Sequence, residues 1–334
     1  MSQLLAVHDL QIEFKTQVGI VRAVNGISFT INSGETVAIV GESGSGKSVS
    51  ALAMLNLLPQ PPARIISGQI RFDGQNILTL PPAALRKLRG HKIGMIFQEP
   101  MTSLNPVLSI GRQITETLRQ HLGLSARAAR ARAIELLNLV GIADPERRLK
   151  QYPHHLSGGM RQRVMIAIAI SCEPRLLIAD EPTTALDVTI QAQILLLLKT
   201  LTQRLGAALI LITHNLGIVA RYADRVNVMY AGRIVEEGPA VDVYRNPSHP
   251  YTLGLLNSVP RLDRPRQFKL DPIPGQPPDP AHLSTGCAFR PRCRYQTQDC
   301  ATTPALQTVH GAHRSACWQL DSLRQIRAPD QSKS

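Results

Sequence analysis

A glycine-rich loop between a predicted strand and a predicted helix is the feature that most constrains the fold of this chain. The apolar residues Thr36–Val40 predict a buried strand, and the helical spacing of apolar residues over Val49–Leu58 predicts a helix. Between them lies GESGSGKS, which matches the pattern G-x-x-x-x-G-K-[ST]. The glycines let the backbone amides turn inward and form an anion-binding nest at the helix N-terminus. The sequence therefore predicts a phosphate-binding loop in an α/β fold.

Two side chains at the end of this loop carry further chemistry. Lys47 is placed to reach the β- and γ-phosphates of a nucleoside triphosphate, and the Ser48 hydroxyl is placed to coordinate Mg²⁺. The sequence thus predicts a site for a nucleoside triphosphate and Mg²⁺. The residues assigned to the nucleotide are Gly41, Glu42, Ser43, Gly44, Ser45, Gly46, Lys47, Ser48 and Val49.

A second predicted strand supplies carboxylates to the same site. Leu176–Asp180 reads LLIAD, and α/β folds bind ligands at the carboxyl ends of such strands. Asp180 is therefore predicted to bind Mg²⁺, and Glu181 to orient or deprotonate the attacking water. A strand ending in Asp-Glu is weak evidence alone, but beside a phosphate-binding loop it predicts hydrolysis of the triphosphate.

Strands alternate with helices along most of the first 240 residues, which favours a mostly parallel sheet with crossover helices. An Arg- and Ala-rich helical stretch runs from about Gln98 to Pro153. The predicted layout is an ATPase domain over residues 1–240 with a helical subdomain at about 99–165. It is followed by a proline-rich linker or extension at 241–280, a small cysteine-rich module at 281–320 and a flexible tail at 321–334.

Composition excludes some classes of protein and leaves others open. Hydrophobic residues make up 43% of the 334-residue chain, enough for a full core, which rules out wholesale disorder. No 18-residue run is continuously apolar, and the start of the chain lacks the pattern of a signal peptide, so a cytosolic protein is expected. The formal net charge of +13 is compatible with nucleic acid, an anionic membrane surface or nucleotide phosphates, and selects none of them.

The last fifth of the chain holds a cluster of cysteines. In a reducing compartment, four cysteines in 31 positions favour a metal over disulfides. Their spacing has no tight C-x-x-C pair and fits either tetrahedral Zn²⁺, with a nearby histidine as an alternative ligand, or an iron–sulfur cluster; unligated thiols are the third possibility. Arg290, Arg292 and Arg294 are interpreted either as charge balance for a cluster or as a solvated loop. The four candidate ligands are Cys287, Cys293, Cys300 and Cys317.

Residues 156–160 (LSGGM) resemble the signature sequence of ABC-type ATPases, and other motifs follow in the family's order. Gln98 resembles the Q-loop glutamine, Ala185–Asp187 the D-loop and His214 the switch histidine. The resemblance implies an ABC-type ATPase fold, with a RecA-like α/β core, an N-terminal antiparallel β subdomain and a helical subdomain. It also implies a head-to-tail pair of such domains that binds ATP. Gln98 would sense Mg²⁺ and the attacking water, and His214 would contact the γ-phosphate. Stacking on adenine is assigned to Phe14, and the groups acting across the pair are Ser157, Gly158, Gly159 and Asp187.

Several segments are similar to one branch of that family, the ATP-binding subunits of dipeptide, oligopeptide and nickel importers. They include FQEPMTSLNP, the stretch from YPHHLSGGMRQ onward, NPSHPYTLGLL and the IPG of residues 273–275. The resemblance implies a peripheral protein at the cytoplasmic face of the inner membrane. Its partners would be a second ATPase subunit (a paralogue, with a second copy of this chain as the alternative), two permease subunits and an extracytoplasmic peptide-binding protein.

The same resemblance favours a [4Fe–4S] cluster on the four cysteines, with Zn²⁺ as the alternative. Three alternatives to peptide import stay open. The first is import of a nickel chelate or another small peptide-like solute. The second is a soluble ABC ATPase acting on nucleic acid; the short helical insert and the single ATPase domain argue against it, so no nucleic acid is expected. The third is a non-hydrolysing regulatory subunit, against which the intact catalytic residues argue.

Overall fold

The computed structural model describes residues 2–17, 19–184, 186–258 and 273–320. Two compact units are present. The first contains the initial residues of the chain, Ile31–Thr36 and Phe72–Ile212. The second contains Ala6–Thr30, Val37–Arg71 and the described residues from Thr213 onward. Each unit is therefore built from segments that are distant in sequence.

The described residues form strands and helices with the following bounds. The strands are β1 Gln3–Thr16, β2 Gly19–Asn32, β3 Thr36–Val40, β4 Ala63–Phe72, β5 Gln75–Asn76, β6 Ile93–Ile96, β7 Leu176–Asp180, β8 Ala208–Thr213, β9 Arg225–Tyr230, β10 Arg233–Pro239, β11 Gln307–His310 and β12 His313–Ser315. The helices are α1 Lys47–Met54, α2 Pro82–Leu88, α3 Pro100–Ser103, α4 Ile110–Leu122, α5 Ala126–Leu139, α6 Pro145–Arg148, α7 Gly158–Ile170, α8 Val188–Leu205, α9 Leu216–Tyr222, α10 Ala240–Arg245 and α11 Pro250–Asn257.

The first unit holds a parallel arrangement of β6, β7 and β8. Ile93 pairs with Leu176, and Leu176 pairs with Ala208. All five residues of β7 are buried, as expected for a strand covered on both faces. This burial accounts for the uninterrupted apolar run that ends in Asp180, and it fixes the position of the carboxylates at the end of the strand.

The helical part of the first unit runs from α3 to α7. Helix α4 buries Ile110, Ile114 and Leu118, which are spaced four residues apart and so lie on one face. Its start is capped by the Ser109 side chain, which accepts a hydrogen bond from the Arg112 amide. Helix α7 packs against α3, α4 and α5. The LSGGM sequence thus stands where α7 begins, held by the helices around it.

The second unit contains the strand that leads into the glycine-rich loop. Strand β3 pairs in parallel with β9, with Val37 opposite Arg225 and Val40 opposite Val228. Strand β9 turns back into antiparallel β10. The cysteine-rich region then supplies β12, which pairs with β10, and β11, which pairs with β12. The second unit also contains most of a separate sheet in which β1 lies between β2 and β4.

The first part of the predicted proline-rich extension is helical. Pro239 directly precedes α10, and Pro250 is the first residue of α11. Proline is compatible with a helix at these positions because the first amides of a helix have no partner within it. Tyr251 and Leu255 of α11 are buried in a core shared with Phe289 of the cysteine-rich region. Residues 259–272 lie outside the described part of the chain.

A buried carboxylate joins β10 to the residues that follow it. Glu236 is fully buried and accepts hydrogen bonds from the amides of Ser248 and His249. Its Oε1 also lies 2.7 Å from Nε2 of the buried His313 in β12. The side chain of His249 accepts a hydrogen bond from the Tyr251 amide, and burial lowers the pKa of His249 to about 3. The cysteine-rich region is therefore bonded into the sheet by side chains as well as by strand pairing.

Within the described segments, no helix is both long enough and apolar enough to cross a membrane.

Candidate nucleotide-binding and hydrolysis site

The glycine-rich loop is tightly enclosed at two of its glycines. A Cβ atom at Gly41 would lie 2.1 Å from the Met229 carbonyl oxygen, and one at Gly46 would lie 2.3 Å from the Ala23 carbonyl oxygen. Gly46 also has a φ of +99°, in the region that disfavours residues with a side chain. Only glycine therefore fits these two positions, which explains the spacing of the sequence pattern in steric terms.

The lysine of the loop is buried and bonded to the loop itself. Lys47 begins α1 and is 4% exposed, and its Nζ donates hydrogen bonds to the carbonyl oxygens of Gly41 and Glu42, both at 2.8 Å. Ser43 and Gly44 at the turn of the loop are exposed, and Ser48 is half-buried in the first turn of the helix. An ammonium group, a helix N-terminus and a glycine-rich backbone are thus combined at one place. This set of groups fits a polyphosphate.

The two residues predicted to handle water lie in contact in the first unit. Nε2 of Gln98 donates to Oε2 of Glu181 at 3.2 Å. The same oxygen accepts a hydrogen bond from Oγ1 of Thr184 at 2.8 Å. Glu181 has a φ of +44°, and its amide donates to the Ile212 carbonyl oxygen at 2.9 Å. The carboxylate is therefore positioned by a left-handed backbone conformation at Glu181 and by hydrogen bonds from Gln98 and Thr184.

Thr184 is a contact that sequence reasoning missed. It lies three residues after Glu181, in a turn where the Thr184 amide donates to the Glu181 carbonyl oxygen at 3.2 Å. The only signal in the sequence is the short spacing in EPTT, which is too common to indicate a role. Asp180, directly before Glu181, is the last residue of β7 and is 4% exposed.

The remaining predicted residues are distributed over both units. His214 follows β8 directly and is exposed, and it belongs to the second unit together with the glycine-rich loop. Gln98, Asp180 and Glu181 belong to the first unit. Phe14 is half-buried near the end of β1. The roles given to His214 and Phe14 stay predictions.

The LSGGM segment forms an exposed helix N-terminus. Ser157 caps α7 and accepts a hydrogen bond from the Met160 amide at 3.4 Å. Ser157 and Gly158 are exposed, and Gly159 is half-buried. Asp187 is exposed and stands at the N-cap position of α8, whereas Ala185 lies outside the described residues. A helix N-terminus of this kind attracts anions and is open to a second molecule.

The four cysteines of the C-terminal region lie near one another, but the structure assigns no metal site to them. Burial raises the pKa of the Cys293 thiol to about 11 and that of Cys317 to about 12, and charge interactions among the four thiols add to both shifts. The Cys287 amide donates to the Cys300 carbonyl oxygen at 3.0 Å. In the described part of the chain, no three His, Cys, Asp or Glu side chains are arranged to hold a metal ion.

Two residues of the C-terminal region contact the glycine-rich loop, and sequence reasoning missed both contacts. Tyr251 of the HPY sequence bonds to the Glu42 amide, and Arg292 pairs with the Glu42 carboxylate. Arg292 is 7% exposed, so it is not part of a solvated loop. The sequence offered the conspicuous HPY and the arginines around Cys293, but it did not indicate their partner.

Two solved structures are similar in fold and in part of the sequence. A dimeric structure of the ATP-binding cassette MJ0796 in a post-hydrolysis state, bound to ADP and phosphate, has a TM-score of 0.64 and 28% identity, covering 71% of this chain and 99% of that one. A dimeric structure of MJ0796, described as a bacterial ABC transporter cassette, has a TM-score of 0.64 and 29% identity, with the same coverage. The family described as "ABC transporter" matches residues 24–184. The chain belongs to the ATP-binding proteins of ABC transporters.

The branch of the family follows from a match in the C-terminal region and from relatives that match over nearly the whole chain. The description "Oligopeptide/dipeptide transporter, C-terminal region" matches residues 235–300. A probable peptide ABC transporter ATP-binding protein, y4tR of Sinorhizobium fredii, is 51% identical over 321 residues, covering 96% of each chain. The oligopeptide transport ATP-binding protein OppD of Bacillus subtilis is 51% identical over 321 residues, covering 96% of this chain and 90% of its own. Within the ABC family, the chain is a member of the oligopeptide and dipeptide branch.

Proposed function

We propose that this protein hydrolyses ATP to drive the import of dipeptides or oligopeptides through a membrane permease. The observation that carries the proposal is the Glu181 carboxylate at the end of β7, held by Gln98 and Thr184, in a chain that also has a complete phosphate-binding loop. The peptide class rests on relatives named for peptide and oligopeptide transport that match over nearly the whole chain.

The proposed reaction follows from these groups. The loop amides and Lys47 bind the phosphates of ATP. Ser48, Asp180 and Gln98 would hold Mg²⁺, which would offset the phosphate charge. Glu181 takes a proton from the attacking water, whose oxygen bonds to the γ-phosphorus. The bond from that phosphorus to the β–γ bridging oxygen breaks, and ADP leaves with the electron pair. His214 contacts the γ-phosphate and stabilises its developing charge.

A second ATPase subunit completes each site in this proposal. The exposed N-terminus of α7, with Ser157, Gly158 and Gly159, would meet the γ-phosphate bound by the partner, and Asp187 would connect the two sites. The partner subunit is a paralogue. Two permease subunits and an extracytoplasmic peptide-binding protein complete the importer, and the ATPase lies at the cytoplasmic face of the inner membrane.

An exposed apolar group next to Gln98 supports a contact with the permease. Phe97, Met101 and Val107 are 37%, 62% and 76% exposed. Leu104, in the same segment, is only 2% exposed and belongs to the core. A permease surface that contacts the exposed side chains would sense movement of Gln98 when ATP binds or is hydrolysed.

Peptide uptake by the complete importer tests this function. Cells that carry the whole importer should accumulate labelled peptides, and unlabelled peptides, but not nickel chelates, should compete.

Met101→Ala should reduce uptake several-fold while the ATPase rate is kept, because interface anchors contribute most of the binding energy. Leu122→Ala, at a 42% exposed residue of α4, is the matched control and should change neither quantity. Competition by a nickel chelate alone would replace the peptide assignment, and equal loss of both activities in Met101→Ala would contradict the docking role.

The finer proposal for the C-terminal region is a [4Fe–4S] cluster on Cys287, Cys293, Cys300 and Cys317. Four cysteines within 31 positions support it, together with the hydrogen bond from the Cys287 amide to the Cys300 carbonyl oxygen. One Zn²⁺ ion needs all its ligands at a single centre, whereas a cluster spreads four thiolates over four irons and tolerates wider separation. Such a group would supply folding free energy to a small region.

Iron and labile sulfide analysis of anaerobically purified protein tests the cluster. About four irons and four sulfides, with broad visible absorption that Cys293→Ser removes, is the expected result. Cys172→Ser is the matched control, because Cys172 is buried in the first unit and should leave the absorption unchanged. One zinc without colour would favour the alternative metal, and the absence of any metal would leave the thiols unligated.

A further inference from the structure

The glycine-rich loop carries an acidic residue at its second position, and this residue has a dedicated partner. The loop must bind a polyanion, so the negative charge of Glu42 is unfavourable unless it is offset. Arg292, 250 residues further along the chain, makes a two-pronged ion pair with it. Nη1 donates to Oε2 at 2.6 Å, and Nη2 donates to Oε1 at 3.0 Å. Both residues lie in the second unit.

The guanidinium of Arg292 is fully bonded. Its remaining donors reach three further acceptors: Nε bonds to the Pro274 carbonyl oxygen at 2.9 Å, Nη1 to the Tyr230 hydroxyl at 3.4 Å, and Nη2 to the Gly275 carbonyl oxygen at 3.4 Å. A guanidinium has five N–H donors, and here all five have an acceptor. The Arg292 side chain is 5% exposed and that of Glu42 is 26% exposed. The ion pair is therefore held in one geometry by burial and by hydrogen bonds to the arginine, unlike a flexible surface pair.

The backbone of Glu42 is held from the same region. Its amide donates to the Tyr251 hydroxyl at 2.7 Å. The Tyr251 ring packs against Tyr230 and Phe289, with centroid distances of 4.5 Å and 5.5 Å. The guanidinium carbon of Arg292 lies 5.9 Å from the ring centroids of both Tyr230 and Phe289. The rings of Tyr230 and Phe289 therefore position both Arg292 and Tyr251. Arg292 binds the carboxylate of Glu42, and Tyr251 binds its backbone amide.

We propose that Arg292 and Tyr251 are positioning residues of the nucleotide site, through which the C-terminal region sets the affinity of the glycine-rich loop for ATP. Arg292 neutralises Glu42, and Tyr251 fixes the Glu42 amide. The Glu42 carbonyl oxygen accepts a hydrogen bond from Lys47, so the restraint on Glu42 reaches the residue predicted to contact the β- and γ-phosphates. The inference rests on the proposed binding of ATP at this loop.

A double-mutant cycle on the full-length protein tests the pair. Titration with a fluorescent ATP analogue should show about a tenfold weaker Kd for Arg292→Met, because the charge of Glu42 then faces the phosphates without compensation. In steady-state hydrolysis, Arg292→Met should raise the KM for ATP and change kcat far less. Glu42→Gln alone removes a negative charge from the loop and leaves Arg292 in place, so it should bind ATP more tightly than the wild type. The double variant, Arg292→Met with Glu42→Gln, should regain an affinity within about threefold of the wild type.

The double variant separates a role in binding from a role in folding. If Arg292 only supports the fold of the C-terminal region, removal of the Glu42 charge will not restore ATP affinity, and this result would overturn the proposal. Unchanged affinity in Arg292→Met would overturn it as well. Arg294→Met, at an exposed position two residues away, is the matched control and should bind ATP normally. Failure of the wild-type protein to bind the analogue would contradict the proposed function itself.

Discussion

Glu181→Gln is expected to lower the rate of ATP hydrolysis by about 10²–10⁴-fold, the usual contribution of a positioned general base. Glutamine keeps the shape of the side chain and can still meet Thr184 and Gln98, but its amide does not take a proton from water. ATP binding should stay close to that of the wild type, because Glu181 is not part of the glycine-rich loop. Phosphate release under saturating ATP, alongside the Kd for ATP, measures both effects.

Glu173→Gln is the matched control for this variant. Glu173 lies in the same unit, is 63% exposed at its side chain and pairs with Arg132 on the surface. The same chemical change there should leave hydrolysis unaltered. If Glu181→Gln hydrolyses ATP within about threefold of the wild type, another group must accept the proton, and the assignment of Glu181 would be wrong.

Glu236→Ala is expected to lower the free energy of unfolding by about 3–5 kcal/mol, because each buried donor left without its acceptor costs about 1–3 kcal/mol. The substitution leaves two buried amides and the His313 ring without their acceptor, and it leaves a cavity beside β10. Chemical denaturation followed by circular dichroism measures the change.

Glu135→Ala provides the comparison for Glu236→Ala. Glu135 is 63% exposed and pairs with Arg132, so its removal should change the free energy of unfolding by less than about 1 kcal/mol. A similarly small effect for Glu236→Ala would mean that the C-terminal region is not coupled to the stability of the sheet. Loss of soluble protein for Glu236→Ala but not for Glu135→Ala would agree with the expectation.

The parts of the fold that sequence predicted are those in which local pattern decides local structure. The strand at Leu176–Asp180 has the bounds expected, because a run of buried apolar residues admits few alternatives. The glycine-rich loop is predictable for a similar reason, because only glycine fits sterically at Gly41 and Gly46. Gln98 and Glu181, both assigned to the attacking water, lie in contact, and their roles in hydrolysis stay predictions.

The parts that sequence missed depend on contacts between distant residues. Nothing in the sequence near Arg292 indicates that its partner is Glu42. The neighbouring cysteines instead suggest that Arg292 offsets the charge of a metal cluster. The proline content after Gly238 predicts a linker or extension at 241–280, yet Pro239 and Pro250 stand at helix starts, where proline is tolerated. Composition alone does not distinguish a linker from a helix pair that buries Tyr251.

The pairing of β12 with β10 also has a consequence for synthesis on the ribosome. Translation must add 74 residues after Pro239 before His313 exists (313 − 239), which takes about 4–15 s at typical rates of elongation. During this interval the nascent chain presents β10 as an open sheet edge. Glu236 and Glu237 then place two negative charges along that edge, and charges of this kind discourage pairing with other strands. The carboxylates that bind the finished sheet together would therefore first serve to keep the unfinished sheet from aggregating.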